Sequence, residues 1–148
     1  MANIIIRPEL KQFVLSILQF GYEKCDAKHF YGPCKRGIYV LHIVVNGAGM
    51  FSVNGKSTAI HKGDLFLVPP KEDVYYHADA EEPYEYYWFA FQGSGVKELL
   101  INAGFLKDGV YVQHAADRCE TFRDEMSRLM ALGQSSARND LFLVSGFY

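Results

Sequence analysis

Residues 84 to 91 read Tyr84-Glu85-Tyr86-Tyr87-Trp88-Phe89-Ala90-Phe91. Alternate side chains of a strand share a face. Tyr84, Tyr86, Trp88 and Ala90 therefore form one row, and Glu85, Tyr87, Phe89 and Phe91 form the other. The first row joins flat apolar rings to hydroxyl and indole N–H tips, and Ala90 leaves room beside Trp88. Such a row suits a sugar ring, which asks for apolar contact on its faces and a few placed hydrogen bonds. The other reading is that the rings fill the inside of a small barrel, as side chains commonly do.

His42 lies in the apolar run from Ile38 to Val45. It is either a hydrogen-bonded core residue or a contact for a ligand. His29 precedes Gly32-Pro33 and is either a turn residue or part of a pocket rim. Metal chemistry on a barrel would need several imidazoles and a carboxylate converging. His42, His61 and His77 are isolated, with no His-x-His, so neither metal nor cofactor is expected. Cys25, Cys34 and Cys119 are dispersed with no C-x-x-C and read as reduced thiols of a cytoplasmic protein. Glu72-Asp73 and Glu81-Glu82 read as solvated turn charges. Glu85, opposite Tyr86 and Trp88, reads as non-catalytic. No nucleophile motif or phosphate-binding loop is present, so an enzyme is not expected.

These residues need elements to hold them. Residues 1–10 read as an arm. Phe13 to Leu18 and Gly21 to Cys25 are two strand candidates, and Gly32-Pro33 is a turn. Ile38 to Val45 reads as a strand buried on both faces. Asn46 to Gly49 is a turn. Met50–Val53 and Lys56–Ile60 flank Asn54-Gly55, a strong hairpin signal. Leu65–Val68 follows the Lys62-Gly63-Asp64 turn, and Pro69-Pro70 stops it. Val74–Ala78 and Tyr84–Phe91 read as a further pair. Beyond Gly93 the period changes to helical. Val96, Leu99, Leu100 and Ala103 share a face, with Gly104 as its terminator. Asp117 and Glu120 have capping-box spacing. Phe122, Met126, Leu129 and Met130 then form one stripe. Strands followed by helices indicate an α+β, mainly β, fold. The apolar run Leu141–Val144 stops in mid-pattern at Tyr148, as in a piece of a longer chain.

The totals limit the function. A chain of 148 residues with 49% apolar content supports one globular domain. Aromatic residues reach 15%, ten of them Tyr, which favours a ligand or partner surface. The net charge of −2, without a basic stripe, argues against nucleic-acid binding by this chain itself. No apolar run has membrane-spanning length, and no signal-peptide pattern opens the chain.

Four pieces, in order, resemble the N-terminal sensor domain of AraC-family transcription regulators, in the style of the sugar-utilisation branch. They are His29 to Pro33, Tyr39 to Gly49, Lys62 to Pro70 and Tyr86 to Phe91. The resemblance implies a cupin-type double-stranded β-helix, a jelly-roll barrel, followed by C-terminal helices. It implies an effector held in the barrel, and it places ligand contacts at Tyr76, Tyr86 and Trp88, with Arg36 matching an arginine ahead of the long strand. His29 and His42 complete the candidate set. It also implies a homodimer paired by the trailing helices, here through Phe122, Met126, Leu129 and Met130, and DNA contact through a helix-turn-helix half that this chain lacks.

The expected organisation is an effector-binding barrel with its arm over residues 1–110 and a helical pairing segment, with its second helix cut short, over 111–148. The expected function is sensing of a small molecule, most simply a mono- or oligosaccharide. The alternatives are a cupin-fold sugar-modifying enzyme and a pure dimerisation module with a self-filled barrel.

Overall fold

The computed structural model describes residues 16–34 and 37–135. These contain strands β1 (Ser16–Lys24), β2 (Phe30–Cys34), β3 (Tyr39–Asn46), β4 (Ala48–Val53), β5 (Lys56–His61), β6 (Asp64–Val68), β7 (Val74–Ala78), β8 (Glu85–Gln92) and β9 (Val112–His114). The helices are α1 (Val96–Asn102) and α2 (Cys119–Ser135). One sheet has the order β1-β8-β3-β6-β9 and the other β2-β7-β4-β5, and all neighbours are antiparallel. The chain crosses repeatedly between two facing sheets, giving the expected mainly β jelly roll with helices on one side.

Period-two alternation produces two cores from one five-stranded sheet. On β3, Val40 and Val44 face the barrel interior, while Ile43 and Val45 face the helices. On β8 and the residue just before it, Tyr84, Tyr86 and Ala90 face inward with Trp88 packed beside them. Tyr87, Phe89 and Phe91 face the helices. Both faces are covered, which explains why neither strand alternates apolar with polar residues.

The helices close the outer core. Val96 and Leu100 of α1 are buried, but Leu99 and Ala103 are exposed, so only half of the expected α1 face is used. Gly104 follows α1 with φ +96°, as a terminator should. Met126 and Leu129 of α2 are buried against the outer core, with Phe122 and Met130 half-buried beside them. This stripe seats α2 on its own barrel. Tyr87 Oη lies 2.9 Å from Ser127 Oγ, and the Arg123 guanidinium donates to the Val45 carbonyl.

Several local expectations are corrected. The two strand candidates ahead of His29 are one strand, and β1 runs unbroken through Gly21, which lies opposite Trp88. Phe13 to Leu15, the arm, Arg36, and Leu141 to Val144 lie outside the described residues. Gly32 and Pro33 make no chain-reversing turn. They form a bulge within β2, with Gly32 at φ +92°, and proline is tolerated there because β2 is an edge strand. Ala48 and Gly49 belong to β4, not to a turn. Val74–Ala78 and Tyr84–Phe91 do not pair: β7 and β8 lie in opposite sheets, joined by a crossing loop. In that loop Asp79 accepts the backbone N–H groups of Glu81 and Glu82 at 3.0 and 2.9 Å. These bonds hold its carboxyl below the usual range.

The segment from residue 111 opens with a strand rather than a helix. Buried Asp64 explains this. Its carboxylate accepts the His61 N–H at 2.8 Å and lies 2.7 Å from His114 Nδ1, fastening β9 to β6. The way into α2 is a 3₁₀ turn, Ala116–Arg118, whose N-cap is Ala115 with no side-chain cap. Asp117 does not serve as the cap.

Gly49 illustrates how closely the sheets approach. A Cβ there would meet the Tyr84 ring at 2.3 Å and the His77 carbonyl at 2.6 Å, whereas one at Gly37 would meet nothing within 4 Å. Gly49→Ala is expected to cost about 1–3 kcal/mol by overpacking. Gly37→Ala should stay within about 0.5 kcal/mol. Urea unfolding of both variants checks the contrast, and equal stabilities would refute it.

Candidate functional site

Gln19, Glu23, His29, Phe30, Tyr31, Val40, His42, Tyr76, Tyr86 and Trp88 line a cavity of about 170 Å³. It lies beneath the edge strands β1 and β2. Five of the six sequence-predicted ligand residues therefore stand around one space: His29, His42, Tyr76, Tyr86 and Trp88. The sixth, Arg36, lies outside the described residues. A second concavity of about 490 Å³, bordered by Phe51, Lys56, Tyr111 and His114 among others, contains none of them.

Each wall is set by register. Trp88 pairs with Gly21 on one side and His42 on the other. Only glycine fits opposite the indole, since a Cβ at Gly21 would lie 2.2 Å from the Trp88 ring. The His42 ring stacks on Phe66 with centroids 4.3 Å apart and planes 4° from parallel. The edges of Tyr76 and Tyr86 meet it at 5.0 and 4.8 Å. His42 is buried, so its ring forms the cavity floor. From the facing sheet, Tyr76 stacks on its cross-strand neighbour Tyr31 with centroids 5.0 Å apart.

Polar groups gather at one wall. His29 Nε2 lies 3.0 Å from Tyr86 Oη, and His29 Nδ1 lies 3.3 Å from Glu23 Oε2. Cys25 is buried behind them, and burial together with the charge of Glu23 pushes its thiol up to about 12. Among the described lining residues Glu23 is the only carboxylate, and none is Lys or Arg. Glu85 stands on the other sheet face, where it accepts the Tyr22 hydroxyl. Burial and that bond raise the Tyr22 phenol to about 12.

Sequence reading missed Gln19, Glu23, Phe30, Tyr31 and Val40. The alternation of Gln19, Gly21 and Glu23 along one strand could have revealed the β1 wall, had a new strand not been started at Gly21. It also missed that Glu23, Cys25 and His29 bring an oxygen, a sulfur and a nitrogen donor within 4.8 Å of one another.

Residues 16–148 match the family model of the AraC-like ligand binding domain. The chain is similar to the Msm operon regulatory protein of Streptococcus mutans, with 29% identity over 99% of this chain and 52% of that protein. It is similar to the raffinose operon transcriptional regulatory protein RafR of Pediococcus pentosaceus, with 30% identity over 70% of this chain and 38% of that one. The lactose operon transcription activator of Staphylococcus xylosus is 26% identical over 74% of this chain and 39% of its own length. The chain thus spans about half, or less, of the length of these relatives. No helix among the described residues is long and apolar enough to cross a membrane.

Tyr84 and Tyr86 are both held protonated well above the ordinary tyrosine range, chiefly by burial. The folded chain keeps protons that the unfolded chain gives up near pH 10. This stability is therefore complete below about pH 10 and is lost as pH rises further. The Tyr84 hydroxyl is buried with no hydrogen-bond partner. Tyr84→Phe should leave stability at pH 7 unchanged, or raise it by up to about 1 kcal/mol, and make the alkaline loss shallower. Denaturant midpoints measured from pH 7 to 11 test this. A loss at pH 7 would mean that the hydroxyl contributes a bond.

Proposed function

Since this chain belongs to the AraC-like ligand binding domain family, we propose that it is the effector-sensing part of a transcription regulator, and that its effector is an uncharged saccharide held beneath β1 and β2. The supporting observation is the convergence of Tyr76, Tyr86 and Trp88, with His29 and His42, on one cavity. Rings give the apolar contact, and phenol, imidazole and amide tips give the hydrogen bonds, that a sugar requires. A phosphorylated effector would call for Arg or Lys, and none is found among the described lining residues. The open volume beside Trp88 is what a self-filled barrel would lack. Operons named for raffinose and lactose among the relatives agree with a saccharide.

This reading makes the chain a binding protein rather than an enzyme. DNA contact is assigned to a part of the regulator beyond this chain. Pairing of two subunits is assigned to α2, through the parts of Phe122 and Met130 left uncovered beside the buried Met126 and Leu129. The effector acts only through its different affinity for two arrangements of the sensor.

A thermal-shift screen against mono- and oligosaccharides, read together with the fluorescence of Trp88, tests the proposal. A sugar at 100 times its dissociation constant should stabilise the fold by about 2.7 kcal/mol, several degrees for a domain of this size. Trp88→Ala should abolish the shift and keep the fold. No response to any saccharide sinks the reading, and unchanged affinity in Trp88→Ala removes Trp88 from the site.

A further inference from the structure

We propose that Glu23, Cys25 and His29 form a site for a zinc-like divalent cation in the wall of the cavity. The donors come from the end of β1 and the turn that leads into β2. Their ligand atoms lie within 4.8 Å of one another. Tetrahedral zinc, with bonds of about 2.3 Å to sulfur and about 2.0–2.1 Å to nitrogen or oxygen, sets its donors about 3.3–3.6 Å apart. Glu23 Oε2 and His29 Nδ1 are already 3.3 Å apart. Small side-chain rotations bring in the third donor.

The backbone on both sides is fastened. The Cys25 N–H donates to the Tyr84 carbonyl at 3.1 Å, and the His29 carbonyl accepts the Ala78 N–H at 3.0 Å. The second imidazole nitrogen is fixed as well, because Nε2 lies 3.0 Å from Tyr86 Oη. A metal-bound histidine usually gives its other nitrogen such a partner, which orients the ring. Nδ1 is thereby left for the cation. Thiolate with imidazole and carboxylate is a donor set for zinc rather than for magnesium or calcium. Three protein donors leave a fourth position open. Glu23 and His29 both line the cavity, so that position faces it. On binding, the Cys25 S–H bond breaks, its proton passes to the solvent, and the sulfur bonds the metal. The site uses none of the isolated histidines His42, His61 and His77.

The metal-free 148-residue chain is titrated with Co²⁺ and then with Zn²⁺, with no sugar present, so the outcome is independent of the saccharide screen. One equivalent of Co²⁺ should bind with a thiolate-to-cobalt charge-transfer absorption that Zn²⁺ abolishes. Cys25→Ser should lose that absorption, whereas Cys119→Ser and Cys34→Ser keep it. Glu23→Gln and His29→Gln should each weaken binding by about tenfold or more. Absence of saturable binding, or an absorption retained in Cys25→Ser, overturns the site. Should Cys25→Ser fail to fold, the half-exposed Glu23 decides, and unchanged affinity in Glu23→Gln overturns it.

Discussion

The close approach of Trp88 to the backbone of Gly21 is the constraint on which the cavity depends. A bare glycine on β1 lets the indole lie across its neighbouring strand instead of standing up from it. Any Cβ at that point would collide with the ring at 2.2 Å. The same register continues through His42 and Phe66, so Gly21, Trp88, His42 and Phe66 form one row across four strands of the sheet. The row begins with no side chain and ends in two stacked rings. Open volume at the β1 end and dense packing at the β6 end follow from that gradient. The cavity therefore sits at the sheet edge and not at its centre.

Covering both faces of the five-stranded sheet fixes the rest of the molecule. The inward row of β8 serves the cavity and the outward row serves α1 and α2, so no side chain between Glu85 and Gln92 is fully exposed. Deleting a buried Leu or Met side chain costs about 2–5 kcal/mol. The α2 stripe therefore contributes to holding β3 and β8 in register as well as covering them. Packing around Met126 and Leu129 and the geometry around Trp88 are joined through strands only one residue thick.

The strands from β3 to β8 were legible in the sequence because their signals are local. Asn54-Gly55 marks a hairpin whatever surrounds it, and Pro69-Pro70 stops a strand by chemistry alone. Alternation in β8 assigned each ring to its correct side before any partner strand was known. Three of the four sheet edges, β1, β2 and β9, were not legible. Gly21 looks like the start of a new strand unless Trp88 is already opposite it. Gly32-Pro33 looks like a turn unless β2 is known to be an edge that tolerates a bulge. β9 has three residues and is held by Asp64, 50 positions away from His114, a contact that no window of sequence contains. The partnership of Glu23, Cys25 and His29 was hidden for a related reason. A strand end and the following turn have no single period, so only the folded chain brings their donors together.

The location of the cavity under β1 and β2 also bears on how a sensor of this kind can respond. Edge strands have a partner on one side only, so they open at lower cost than β3 or β8 at the sheet centre. The cavity, at about 170 Å³, is smaller than the 300 Å³ or so at which pockets for drug-sized ligands begin. A ligand larger than a single ring would have to displace an edge to enter. The side chain best placed to yield is Phe30, which lines the cavity yet is 63% exposed. Trp88, His42 and Phe66 stand on three adjacent strands and cannot yield without unpacking the interior core. The rigid wall therefore sets which ring fits, and the edge wall is the part that a ligand can move.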